Sequence, residues 1–120
     1  MKVAVTAQGE GMDAQVDPRF GRAKYFVVVD TETGEHESVD NSVNLNAAQG
    51  AGIQSGKRIA DLQVEAVITG HVGPKAYSTL QTGGVTVYTD ASGTVAHAIE
   101  AFKQGSLSSV NAPDVRGHWS

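Results

Sequence analysis

Apolar residues in this chain fall in short runs whose spacing changes from strand-like to helical and back. Val3 and Val5 alternate with smaller or polar neighbours, so Lys2 to Ala7 is expected to form a first strand. Tyr25 to Asp30 is rich in aromatic and β-branched residues and predicts a second. The turn Asp30-Thr31-Glu32-Thr33-Gly34 leads into a charged returning strand, Glu35 to Val39, whose charges suit a sheet edge. Ile53, Ile59, Ala60 and Leu62 recur near helical spacing and predict a helix ending around Asp61 to Gln63. Ala66-Val67-Ile68-Thr69 is apolar without alternation, as in a strand covered on both faces. Pro74 then stands where a helix accepts proline, Ala76, Tyr77 and Leu80 supply an inward stripe, and Gly83-Gly84 ends the helix. Val85 to Tyr88 predicts another central strand. Val95, Ala98, Ile99 and Phe102 mark one side of a last helix from Thr94 to about Lys103.

The order β-β-β-α-β-α-β-α predicts one α/β domain, with a mixed five-stranded sheet and helices on both faces. The first, fourth and fifth strands are expected to run parallel, and the second against the first. Loops after the parallel strands then gather at one edge: Gln8 to Lys24, Gly70 to Pro74 and Thr89 to Gly93. A crevice beyond the carboxyl ends of such strands is the usual ligand site in open α/β sheets. Asn41 to Gln49 is a polar connection. Residues 1–107 are expected to form the binding domain. Pro113, Gly117 and a scarcity of apolar residues predict a flexible C-terminal tail over 108–120.

Composition narrows the chemistry. At 120 residues the chain has the size of one domain. It has no cysteine, which removes disulfides, thiolate nucleophiles and thiolate metal ligands, and fits a reducing cytoplasm. The apolar runs at Met1 to Thr6 and Tyr25 to Val29 are too short for a signal-peptide core or a bilayer span, so no membrane association is expected. Nine Lys and Arg against thirteen Asp and Glu leave a formal charge of -4, which argues against non-specific nucleic-acid binding. The positive charge is local: Arg19, Arg22 and Lys24 sit together, whereas acids crowd Asp30 to Asp40.

That local charge is the main candidate for function. Arg19 and Arg22 offer directed donors able to grip the oxygens or sulfides of an anion. Phe20 would anchor their loop, and Gly21 would permit a turn. The competing account is that Arg19 pairs with Asp17 or Asp13 and the basic run only solvates a loop. His71 follows a central strand and precedes a helix N-terminus, where free N–H groups favour an anion. It can bind an anion when protonated, ligate a metal when neutral, or simply satisfy backbone groups in the turn. Lys75, in the first helical turn, opposes the helix dipole, and a bound anion would offset this.

Other motifs carry less. Gly50 to Lys57 fails as a Walker loop because Ala51 and Arg58 stand where glycine and a hydroxyl residue are required. A helix N-terminus there can still offer amides to an anion, or its glycines can serve packing. His36, His97 and His118 have no zinc-motif spacing. Asp90 reads as a turn or cap residue, Thr6 as a packed strand residue, and Met12 as an exposed thioether that could meet copper.

Taken together, several segments resemble the dinitrogenase iron-molybdenum cofactor biosynthesis family. They are Asp17-Pro18-Arg19-Phe20-Gly21-Arg22-Ala23 with Tyr25 to Asp30, then Gly50-Ala51-Gly52. Val67-Ile68-Thr69-Gly70-His71-Val72-Gly73 with Ala76 follows, and Gly93-Thr94-Val95 through Lys103 completes the set. The resemblance implies a ribonuclease H-like topology without that enzyme's carboxylates, and binding or carriage of a preassembled anionic metal–sulfur cluster rather than turnover. Short cysteine-free members imply a non-covalent molybdenum–copper sulfide cluster and a link to a cell-division-associated complex. Iron–molybdenum cofactor or a precursor, with a cofactor-assembly complex as partner, is the alternative. The expected binding set is Arg19, Phe20, Gly21, Arg22, Lys24, Gly50, Gly52, His71, Gly73 and Lys75, with no residue as a direct metal ligand. Two other classes stay open: a regulatory or partner-binding domain without a cluster, and a nuclease-like or phosphotransfer enzyme, which needs converging carboxylates.

Overall fold

Side chains on the first strand point alternately to two covered faces, Val3 and Val5 to one and Ala4 to the other, and that is why its burial is almost continuous. The computed structural model describes residues 1–41 and 51–110. Strand β1 (Lys2–Ala7) is central, with β2 (Tyr25–Asp30) antiparallel on one side and β4 (Ala66–Ile68) parallel on the other. Outside these lie β3 (His36–Asp40), antiparallel to β2, and β5 (Thr86–Tyr88), parallel to β4. The five strands are ordered β3-β2-β1-β4-β5, the mixed sheet expected.

Helices α1 (Ala51–Asp61) and α2 (Pro74–Thr82) cover one face, and α3 (Val95–Lys103) covers the other. On the first face Ala4, Phe26, Val28, Val67 and Val87 meet Ile59, Ala76 and Leu80. On the second, Val3, Val5, Val27, Val29, Ala66 and Ile68 meet Val95, Ala98 and Ile99. Each fully buried side chain of this size contributes roughly 1.5–3 kcal/mol of hydrophobic stabilisation. The helices are punctuated as their sequences require. Pro74 opens α2, and the Thr94 side chain caps α3 by accepting the His97 N–H at 3.1 Å.

Gly56 of α1 serves packing. A Cβ at Gly56 would stand 2.9 Å from Thr79 Cγ2, so α1 and α2 touch there more closely than a side chain allows. Met12 packs, partly buried, against the α3 side of the core, instead of standing free in its loop.

Ser109 bridges Tyr88, and the Val110 N–H donates to the Val87 carbonyl at 3.0 Å, so residues just beyond 107 pair with the edge of β5. The unpaired edge of a sheet offers backbone groups to any extended segment that reaches it, which is the physical reason the chain stays there. The rest of the expected tail, 111–120, and the connection 42–50, including Gly50, lie outside the described residues.

Candidate functional site

The three loops that follow the parallel strands are tied together at one edge of the sheet. Val16 pairs with Ala7, Gln15 bridges Thr94, and the Val16 N–H donates to the Gly93 carbonyl at 2.9 Å. The Asp90 N–H donates to Gly70 at 2.9 Å, which joins the last loop to the second. Most directly, Arg19 and His71 form a parallel backbone bridge. The His71 N–H donates to Pro18 at 2.8 Å, and the Phe20 N–H donates to the His71 carbonyl at 3.2 Å. The basic loop and the histidine turn therefore meet at one edge.

Below the loop, a buried polar link fixes its start. The Thr6 hydroxyl donates to the Asp17 carbonyl at 2.8 Å and lies 2.9 Å from the Thr69 hydroxyl, both threonines being fully buried. Thr6 is thus occupied as a tie between strands and loop. Asp17 folds back in an Asx turn, its Oδ1 accepting the Arg19 N–H at 2.9 Å. Burial raises the Asp17 pKa above its ordinary value, against the opposing pull of the Arg19 N–H bond and the Arg19 charge.

Phe20 and Gly21 lie under the loop rather than in its wall. Phe20 is fully buried and stacks on Phe26 with ring centroids 5.8 Å apart. Its short 3₁₀ turn, Phe20–Arg22, packs against α1. Gly21 is buried there and is not among the left-handed glycines, so the turn does not call on its freedom in φ.

A concavity of about 520 Å³ opens beside this loop, lined by Gln8, Asp17, Pro18, Arg19, Arg22 and Lys24. Three cations thus share this lining with one carboxylate, that of Asp17. The suggested pairing of Arg19 with Asp17 is realised through the Arg19 backbone, and the exposed guanidinium forms no side-chain ion pair among the described residues. Directed N–H donors held around a water-filled hollow can take an anion with several acceptor atoms. Among the described residues no three His, Cys, Asp or Glu side chains come together in an arrangement that holds a bare metal ion.

The remaining expected residues are spread around this hollow. His71, partly buried, reaches it through its backbone bridge, and Gly73 is the buried N-cap of α2. Lys75 is exposed in the first turn of α2 and is not in the wall; Gly52 lies in the first turn of α1. His36 and His97 are exposed and away from the basic loop, and Asp90 takes a left-handed turn conformation, with φ 65.

Several positioning residues escaped the sequence reading. Gly70 is one, since a Cβ on it would fall 2.6 Å from the Pro18 Cα. Asp17 is another, and the Asp-Pro-Arg order was its available signal, because an aspartate commonly accepts the N–H two residues on. Gln8, Thr69, Asn41 and Ser55 gave none.

These features define a small α/β domain whose strand ends carry a hollow lined by three cationic side chains. The chain belongs to the dinitrogenase iron-molybdenum cofactor family, whose model matches residues 1–105. It is similar to the apo form of the orange protein from Desulfovibrio gigas, with 42% identity, a TM-score of 0.93, and 95% and 96% of the two chains covered. A Thermotoga protein described as a candidate NifB protein of the DUF35 family is 36% identical with a TM-score of 0.83, covering 97% of this chain and 98% of that one. An uncharacterised protein of Methanocaldococcus jannaschii is 33% identical over 110 residues, 89% of each chain. No described helix is long and apolar enough to cross a membrane.

Proposed function

We propose that the chain binds and carries, without covalent attachment, a preassembled anionic metal–sulfur cluster in the hollow beside Arg19, Arg22 and Lys24. The observation that carries this is the Arg19–His71 backbone bridge, which joins the basic loop to the turn at the strand ends. A chain without cysteine is poorly equipped to assemble an iron–sulfur cluster from bare ions, but a cluster that brings its own sulfides asks only for charge and hydrogen bonds. The arginine forks supply both, and their breadth suits sulfide or oxo groups on several edges of one guest.

Family membership supports a cofactor-related, cluster-binding role. The likeness to the orange protein favours a molybdenum–copper sulfide guest, with iron–molybdenum cofactor or a precursor as the alternative cargo. Carriage, not catalysis, is the role that suits this donor set: it grips an anion and offers no paired acid and base to transform it. The setting we propose is the cytoplasm, with a cell-division-associated or cofactor-assembly complex as the partner that gives or receives the cluster.

The test is reconstitution of the purified protein with copper and thiomolybdate, followed by gel filtration with molybdenum, copper and sulfide measured together. The expected result is a stoichiometric complex absorbing in the visible. Loss of all metal on the column sinks the proposal. Arg19→Glu and Arg22→Glu should each cut retention at least tenfold while the fold survives, since each reverses a charge facing the guest (about 1.4 kcal/mol per tenfold).

A further inference from the structure

A buried polar pair is bonded to the backbone of the basic loop. Asn41, directly after β3, and Ser55, on α1, are both fully buried. Asn41 Nδ2 donates to the Ala23 carbonyl at 2.9 Å and to Ser55 Oγ at 3.1 Å. The Asn41 backbone N–H donates to the Lys24 carbonyl at 2.7 Å, and Ser55 Oγ reaches the Gly21 carbonyl at 3.5 Å.

The protons account for one another. Asn41 has two amide protons, one for Ala23 and one for Ser55, and the single hydroxyl proton of Ser55 is left for Gly21. The amide orientation is fixed by this, because a carbonyl at Ala23 can accept only from the nitrogen. The carbonyls of residues 21, 23 and 24 are thus held inward by one small network, while the Arg22 and Lys24 side chains between and beside them line the hollow. Polar groups as fully buried as these are costly unless satisfied, so an apolar pair would serve packing alone more simply.

Resting on the anion-site reading above, we propose that Asn41 and Ser55 are positioning residues: they set the pitch of the loop so that Arg22 and Lys24 face the guest together. The network stretches from the end of β3 to α1, so a rigid frame bears on a loop that would otherwise choose among several conformations. Neither residue touches the guest.

The experiment compares full-length wild type, Ser55→Ala and Ile99→Val, using thiomolybdate with copper as the probe. Ile99 lies in the core on the other face and serves as a control of similar modest destabilisation. Expected for Ser55→Ala is a threefold to tenfold weaker affinity, because the bonds from Asn41 and to Gly21 are both lost and the loop they hold is released. Its affinity should also depend less steeply on salt, because fewer cations face the guest. Ile99→Val should bind like wild type at matched loss of Tm. Should Ser55→Ala not fold, Asn41→Ser carries the same comparison. Equal affinity and salt dependence in wild type and the network variant overturn the inference while leaving the hollow intact, as does equal weakening in Ile99→Val. A wild type that retains no probe overturns the anion-site reading instead.

Discussion

Gly70 lies so close under Pro18 that a Cβ built on it would fall 2.6 Å from the Pro18 Cα and 2.7 Å from the Pro18 carbonyl oxygen. Both atoms are backbone, so no rotamer change relieves the clash. The close approach is what lets the His71 N–H reach the Pro18 carbonyl at 2.8 Å and closes the bridge between loop and turn. Gly70→Ala is therefore expected to destabilise the fold by about 1–3 kcal/mol, a fall in Tm of roughly 5–15 °C, and to weaken guest binding with it. Thermal unfolding by circular dichroism measures this. An unchanged Tm would show that the loop yields freely.

Phe20 holds the same loop from inside. Its ring stacks on Phe26 and is fully buried, so truncation removes both contact area and stacking. Phe20→Ala is expected to cost about 3–5 kcal/mol, and Phe20→Leu about 1–2 kcal/mol, by urea unfolding. A negligible loss for Phe20→Leu would argue that the stack contributes nothing beyond volume.

Most of the fold was legible because both faces of the central strands are covered, which leaves continuous apolar runs bounded by turn residues. Pro74, Gly83-Gly84 and the spacing of Val95, Ala98 and Ile99 place α2 and α3 from local chemistry alone. The C-terminal edge was not legible, because pairing of Val110 with Val87 depends on an unoccupied sheet edge far away in sequence. At the site, Arg19, Arg22 and Lys24 stood out by charge and do share a wall. Phe20 and Gly21 belong to the same motif yet support it from below. Asn41 and Ser55 are invisible to a linear reading, since their side chains bond carbonyls 18 and 34 positions distant in the chain.

If charge is what holds the guest, its retention depends on ionic strength. The Debye length falls from about 8 Å at 0.15 M salt to about 3 Å at 1 M, so exposed arginines lose most of their reach. Retention of the copper–thiomolybdate complex should fall by at least tenfold across that range. Arg19→Lys keeps the charge and loses the fork, and should bind between wild type and Arg19→Glu. Measured by equilibrium dialysis, salt-independent retention would point to direct coordination in place of charge and hydrogen bonding.

Asp17 gives the site a pH dependence whose sign follows from its burial. Its folded pKa is raised, so the native state holds this proton more tightly than the unfolded chain. The stability it contributes is full below the unfolded value near 3.8, and is lost as pH rises through the raised value. Asp30 acts in the opposite sense: the Glu32 N–H lowers its pKa, so its contribution is present above 3.8 and lost as pH falls through the lowered value. Asp17→Asn removes the cost of burying a carboxylate, while its Oδ1 can still accept the Arg19 N–H. The variant should melt above wild type at pH 7, by a margin that shrinks as acid protonates the native aspartate. It should also bind an anionic guest about threefold to tenfold more tightly at pH 7, because one negative charge has left a wall shared with three cations. Tm and affinity measured from pH 3.5 to 7.5 decide it: a difference in Tm that does not change with pH would mean that Asp17 takes up its proton alike in the folded and unfolded chain, with no raised pKa to lose.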